Sequence, residues 1–599
     1  MSTLLQSLVR YADSCEDITP AYYEATSVSW RLDLAADGSP SPILIPLTHT
    51  EERGGKVSTK PGAQMATPKI TRTVNVAPML GVDGIAYVLG WSDGAMTPVK
   101  AAARHQAYLQ LHRQWADDTD EKVDPVPAAV LRFLTRHVGQ VRQPAEWTAK
   151  DMVCVAVAGV PAHHSVTAAS FWAGQAAGAK SSGARGLCLV CGTEGDLVSS
   201  FPQMVKGSLV PGGQSSGTAL ISINELVYGY GLTRGLGQVP ICADCANAIP
   251  ASLNHLLSNR THTRRDNRTV MIWWIEGNDD LDPFLMTDHP TLGDVTALLA
   301  SVGRGRPAEP VSQQEFHSLL LSANAARLVV RRWNHVPLAH IKATIASWFR
   351  DIEIEPRYAD GHRYQPLWRI AQATGSHDGA TYLRTGDPGG HHPEDITERL
   401  RLCAFEGAPV GPALLAHTLG RISADGRIDD PRAAFLRLAI TRTPHLKECP
   451  MPGLEPANTT PCYVLGRLLA AYEALQIAAA RAYGGSTPNT TFADKLLAGA
   501  ISSPRLVLSA GEKQSAAWLG KLGRSGRDRY HRRDIDTIID LLDSDAVVPA
   551  RANLQEQALF VLGYHHQRAA TQRMIDEAIA RRATNKLEPA QVPDDILGD

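Results

Sequence analysis

The chain has no run of about 18 apolar residues, the minimum for a helix that crosses a bilayer, so no membrane-spanning segment is expected. It also lacks an excess of charge: 59 Lys and Arg face 61 Asp and Glu, for a net charge of −2. That balance excludes a protein that coats nucleic acid by bulk positive charge. Any phosphate contact has to come from local basic patches or from partner chains. Cysteine is sparse, nine in 599 residues. No secretory leader is expected from Met1–Tyr11, which has one Arg and only a short apolar face. A cytoplasmic protein with reduced thiols is expected, so its cysteines need a role other than disulfides. What is present is ordinary for a folded chain: 44% hydrophobic and 20% charged residues. The length suggests about three to five domains.

Leu5, Leu8 and Val9 open the chain at helical spacing. Val28–Leu34 alternates polar with apolar residues and reads as a strand, joined through the turn-like stretch 36–41 to a second candidate, Ile43–Leu47. Residues 51–75 hold Arg53, Lys56, Lys60, Lys69 and Arg72 against Glu51 and Glu52. Gly54, Gly55, Pro61, Gly62 and Pro68 interrupt this stretch, and a long basic loop is expected. Lys100–Trp115 has a helical face of Tyr108, Leu111 and Trp115. Strand candidates follow at Val153–Ala158, Ala219–Ile223, Val270–Ile275 and Arg327–Arg331. Toward the C-terminus, Leu465, Leu468, Leu469, Tyr472 and Ile535, Ile538, Ile539, Leu542 follow the i, i+3, i+4, i+7 spacing of buried helix faces. The expected fold class is α+β: mixed N-terminal (1–150) and central (151–355) regions, a connecting helical region (356–450) and a C-terminal helical bundle (451–599).

Cys188-Leu189-Val190-Cys191 and Cys242-Ala243-Asp244-Cys245 are the two CxxC pairs in the chain. Two such pairs supply the four thiolates of a tetrahedral zinc site, and four Cys ligands leave no open position for catalysis, so a structural zinc is expected. A thioredoxin-type redox pair would follow a strand and open a helix in a small βαβ domain, which is not evident here. Between the pairs, residues 206–224 run from Lys206 through Gly212, Gly213, Gln214, Ser215, Ser216 and Gly217 to Asn224. The glycines let backbone approach a ligand, and Gln214, Ser215 and Ser216 suit phosphate, ribose or base edges. The bland alternative is a polar loop; a P-loop is excluded by the missing Gly-Lys-Ser/Thr ending.

Segments spread along the chain resemble the large subunit of type I-C CRISPR Cascade (the Csd-one, or Cas-eight-c, family). They include Arg72-Thr73 with Pro78, Asp83 and Tyr87-Val88-Leu89-Gly90, and then Arg104-His105 and Leu111-His112-Arg113. Gln214-Ser215-Ser216-Gly217, Leu253-Asn254-His255-Leu256-Leu257 and Asn324-Ala325-Ala326-Arg327 with Trp333 continue the series. Tyr463-Val464-Leu465-Gly466-Arg467-Leu468 and the stretch from Glu556 to Arg568 complete it. Asn75 and Ala77 depart from the Gly and Lys of many relatives. Cys242 and Cys245 fall where many relatives have acidic or polar residues, so zinc is an expectation from this sequence rather than an inheritance from the whole family.

The resemblance implies a non-catalytic subunit that reads the protospacer-adjacent motif, starts the R-loop and docks the nuclease-helicase. Its partners would be CRISPR RNA, double- and single-stranded target DNA, and the backbone, handle-capping and small subunits. Lys56, Lys60, Lys69 and Arg72 then become candidate phosphate contacts and Asn75 a candidate base reader. Lys521, Arg524, Arg527, Arg532 and Arg533 form a basic patch suited to single-stranded DNA. Met451 is a candidate internal start for a separate small subunit. Two alternatives are a zinc-stabilised nucleic-acid-binding scaffold outside CRISPR, and a metal nuclease built on His377-Asp378, His391-His392 and Glu394-Asp395. The nuclease requires ligands that converge from separate elements.

Overall fold

The computed structural model describes all residues except 1–2, 16, 19, 21, 54–55, 70–75, 267, 278–280, 304–313, 444–449, 483–484, 524–527, 543–546 and 588–599. The chain divides into two compact units: Met1–Glu276 with Phe316–His335, and Gly277–Glu315 with Val336–Asp599. The first is α+β and the second helical, as the sequence predicts.

In the first unit, Trp30–Leu34 and Met152–Val157 pair in parallel at the centre of a sheet ordered Ile45–Pro46, Trp30–Leu34, Met152–Val157, Val82–Gly84, with Val160–Pro161 on Met152–Val157. A parallel pair needs a long crossover, and the helices Pro98–Asp117 and Val126–Arg132 lie within it. Tyr108 and Trp115 of the first, with Ala129 and Val130 of the second, are fully buried against Leu32, Val153 and Val155. The hairpin expected from Val28–Leu34 and Ile43–Leu47 is present as Trp30–Leu34 paired with Ile45–Pro46, Trp30 lying opposite Pro46.

The strand predicted over Val28–Leu34 is present over Trp30–Leu34, whereas its first residue, Val28, ends a separate strand in another sheet. Tyr23–Val28 pairs with Ala63–Pro68, and the chain changes sheets at Ser29, whose N–H donates to Met152 O (3.0 Å). The basic loop predicted over 51–75 is also corrected: Thr48–Arg53 and Lys56–Pro61 form an antiparallel ribbon closing at Arg53 opposite Lys56. Gly54-Gly55 are the two residues between these strands, the dipeptide that two-residue hairpins favour.

A second sheet runs in sequential order through Thr263–Arg265, Val270–Glu276, Glu315–Asn324 and Arg327–Pro337. The helices Ala243–Ser258 and Leu4–Ser14 lie against each other, with Ser252 Oγ donating to Leu8 O (2.7 Å). The predicted strand Ala219–Ile223 is not one; only Ala219 makes a bridge, to Arg327.

The second unit is built around the helices Pro461–Arg481 and Leu554–Leu587. A Cβ at Gly466 would sit 2.0 Å from Phe560 O, and one at Gly563 would sit 2.1 Å from Tyr463 O. The two backbones touch at reciprocal glycines. Around that contact, Tyr463 OH lies 3.0 Å from His566 Nδ1 and Arg467 Nε donates to Gln567 Oε1 (3.1 Å). Tyr564 OH donates to Glu473 Oε2 (2.8 Å). Two of the motifs singled out in the sequence therefore meet each other.

Candidate metal centre and nucleic-acid interface

The first CxxC pair sits on a tight turn after the strand Ser181–Leu187. Gly192 N–H donates to Cys188 O (3.0 Å), Cys188 N–H donates to Thr193 O (2.9 Å), and Gly192 takes the left-handed φ of 74°. The second pair opens the helix Ala243–Ser258, with Cys242 as its N-cap and Cys245 in its first turn. The four thiol sulfurs lie within 4.8 Å of one another. Cys191 Sγ and Cys242 Sγ are 3.8 Å apart. A tetrahedron with Zn–S of about 2.3 Å has ligands about 3.8 Å apart, so the donor set fits an ion of that size. Backbone N–H groups of Val190 (3.4 Å) and Cys242 (3.3 Å) point at Cys188 Sγ and would stabilise a thiolate there. Thr193 holds the Cys191 thiol down at about 6, whereas burial pushes Cys242 and Cys245 up. A bound dication reverses that burial penalty and displaces the protons.

The same helix braces the Gly-Gln-Ser segment. Asn254, three turns beyond the cysteines, accepts from Lys206 N–H (2.9 Å) and donates to Met204 O (3.1 Å). Val205 and Thr218 exchange backbone hydrogen bonds of 2.9 and 2.7 Å. From the other side, the turn between the strands Glu315–Asn324 and Arg327–Pro337 takes hold: Gln214 N–H donates to Ala325 O (3.2 Å) and Ala219 N–H to Ala326 O (2.8 Å). Within the segment, a Cβ at Gly207 would lie 1.9 Å from Gln214 O, and Gly217 has φ 104°. The result is a rigid backbone whose tip exposes the side chains of Lys206, Gln214, Ser215 and Ser216. Asn224 is used differently, its Oδ1 accepting from Arg327 Nη2 (2.6 Å). Asn254 and Ala325, which fix this tip, were not picked out from the sequence as site residues. The signal for Asn254 was an amide inside the apolar run Leu253–Leu257.

The remaining basic candidates scatter. Lys69 is ion-paired with Glu24. Lys56 and Lys60 lie on the strand Lys56–Pro61; Arg72, Asn75, Arg524 and Arg527 lie outside the described residues. Arg532 and Arg533 are exposed on the helix Asp528–Ile539, and Lys521 is exposed near the end of Arg505–Gly523. Arg532 shares a cleft of about 690 Å³ with Glu512, Asp528 and Asp536, so carboxylates outnumber it there. The His377–Asp395 stretch makes local contacts: Asp378 accepts from Ala380 and Thr381 N–H, His391 Nδ1 meets Ser376 Oγ (2.9 Å) and His392 Nε2 meets Gln372 O (3.1 Å). It is not among the groups of described residues whose ligand atoms converge. Among the described residues, no helix is long and apolar enough to cross a membrane.

Comparison with known proteins agrees with the resemblance. No curated protein matches the chain. A family model described as CRISPR-associated protein (Cas_Csd1) matches residues 8–572, from the N-terminal helix through both motifs of the glycine contact. With nearly its whole length matched, the chain belongs to the Cas_Csd1 family of CRISPR-associated proteins.

Proposed function

We propose that the chain is the large subunit of a type I-C Cascade: a non-catalytic, cytoplasmic protein that binds CRISPR RNA and target DNA, reads the protospacer-adjacent motif and starts the R-loop. The observation that carries this reading is the Gln214–Ser216 tip, whose donors and acceptors are exposed on a backbone held from two sides. Rigid backbone with free amide and hydroxyl groups suits base edges and phosphates. A near-neutral chain supports a subunit whose partners (the backbone, handle-capping and small subunits) carry most phosphate contacts. The C-terminal helices would add contacts to the displaced strand and a docking surface for the nuclease-helicase. The four cysteines would hold a structural zinc that locks the helix bearing Asn254.

The test is target-duplex binding by the reconstituted assembly, with and without this subunit, at fixed salt and with the adjacent motif varied. Motif-dependent binding should require the subunit, and Gln214→Ala should weaken it by roughly tenfold, the worth of a base-edge contact of 1–3 kcal/mol. Equal binding when the subunit is omitted would remove motif recognition from its role.

A further inference from the structure

The loop that follows the Gln214 tip carries apolar side chains into solvent. Leu226, Val227, Tyr228 and Leu232 are 47, 73, 71 and 69% exposed. Isolated exposed apolar residues are unremarkable on a protein surface, but four within seven residues of one loop concentrate apolar surface there, as contact sites do.

The loop is not slack. Its neck is closed by Gly235 N–H donating to Ile223 O (2.8 Å) and by the Asn224–Arg327 hydrogen bond. Inside, Tyr228 N–H donates to Glu225 O (3.1 Å), Gly229 N–H to Leu226 O (3.1 Å) and Leu232 N–H to Gly229 O (3.0 Å), giving successive tight turns. Leu232 sits at φ 58°, a left-handed conformation that a bulky side chain rarely adopts. A loop that served only as a connection would relieve this strain with Gly or Asn and place polar residues outside. Strain of this kind is retained where the surroundings over-determine a functional conformation.

The ridge and the Gln214 tip share an anchor. Ala325 (φ 52°), in the turn that receives Gln214 N–H, is two residues from the Arg327 that holds Asn224. Arg327, through Asn224, and Arg234, facing Glu225 at 3.8 Å with both side chains largely exposed, therefore stand at the neck of the loop. Apolar faces beside guanidinium groups and a polar amide tip match an unpaired strand: faces for bases, cations for phosphates, amides for base edges. A protein partner could use the same groups, so the discriminating feature is the guanidinium groups beside the apolar faces, which suit a phosphate backbone.

We propose that the Leu226–Leu232 ridge is a contact for unpaired nucleobases, with Tyr228 as its stacking face; this rests on the nucleic-acid reading above. The full-length chain would be titrated at fixed low salt with a labelled short oligothymidylate and with an abasic strand of the same length. The wild type should favour the thymidylate by about fivefold or more per stacked base. Tyr228→Ala combined with Leu232→Asn, which tolerates the left-handed backbone, should abolish that preference and leave abasic binding and the melting temperature unchanged. Equal wild-type affinity for the two strands, or a variant that keeps the preference or loses both strands equally, would overturn the proposal and leave the nucleic-acid reading standing. A variant that binds both strands as the wild type does but fails to co-elute with the other subunits would make the ridge a protein-docking surface instead. Wild-type chain that binds neither strand would also overturn the ridge as a base contact, while the nucleic-acid reading itself stands or falls on duplex binding by the reconstituted assembly.

Discussion

Adding a single methyl group at Gly466 should unlock the second unit. The new Cβ would lie 2.0 Å from Phe560 O and 2.9 Å from Tyr564 N, both backbone atoms that cannot rotate away. The helices Pro461–Arg481 and Leu554–Leu587 would have to part by about 1 Å, and overpacking of this kind costs roughly 1–3 kcal/mol. Parting them also weakens the Tyr463–His566 and Arg467–Gln567 hydrogen bonds, at about 1 kcal/mol each. Replacing Gly by Ala inside a helix returns about 1 kcal/mol of propensity, so the net expected loss is about 2–4 kcal/mol. Gly420→Ala is the internal control, because a Cβ there meets nothing within 4 Å on an exposed face of the helix Pro412–Asp425. That substitution should stabilise by about 0.5–1 kcal/mol. The chain folds as two units, so one global midpoint would mislead. Hydrogen exchange of amides in 461–481 and 554–570 across a urea series isolates the relevant transition. Gly466→Ala and Gly563→Ala should also be strongly non-additive, since one separation of the helices relieves both clashes. A Gly466→Ala chain as stable as Gly420→Ala would refute the reciprocal-glycine packing.

Three further outcomes are expected. Chelation, or Cys188→Ser, should release one zinc per chain and expose 206–218 to proteolysis; unchanged cleavage would uncouple the cysteine cluster from the tip. Asn254→Ala should loosen the same segment by about 1–3 kcal/mol, the cost of leaving Lys206 N–H and Met204 O unpaired, seen as faster cleavage with the metal retained; protection equal to wild type would remove Asn254 as a brace. The first unit should weaken in mild acid. Burial pushes His112 down to about 4 and His163 to about 3, so between pH 6.5 and 4 the unfolded chain holds more protons and stability falls as pH falls. For His112 the loss between pH 6.5 and 5 is about 2 kcal/mol; urea midpoints at the two pH values, with His112→Gln flattening the slope, provide the check, and an unchanged slope would exclude His112 as the cause.

Some of this protein was legible residue by residue. The CxxC pairs were, because a knuckle is local geometry and its spacing appears in four consecutive residues. The helical faces of Leu465–Tyr472 and Tyr108–Trp115 were legible from periodicity, and the buried residues follow it. The ribbon over Thr48–Pro61 was legible in principle: Gly54-Gly55 is a hairpin dipeptide, but the prolines and charges around it favoured a loop. The change of sheets before Trp30 was not, because alternation is the same in either sheet and only the tertiary partner of Ser29 breaks it.

By itself the sequence determined the chemistry on offer: four thiols in two pairs, a Gly-Gln-Ser stretch, amphipathic helices and a charge near zero. Only the tertiary structure decided how these meet. It put Cys191 Sγ 3.8 Å from Cys242 Sγ across the intervening segment, hung the Gln214 tip from Asn254 and Ala325, and set Gly466 against Gly563. Local spacing encodes turns and helix faces because neighbouring residues share one backbone conformation. Contacts between distant segments depend on how the whole chain closes, and no local pattern carries that information.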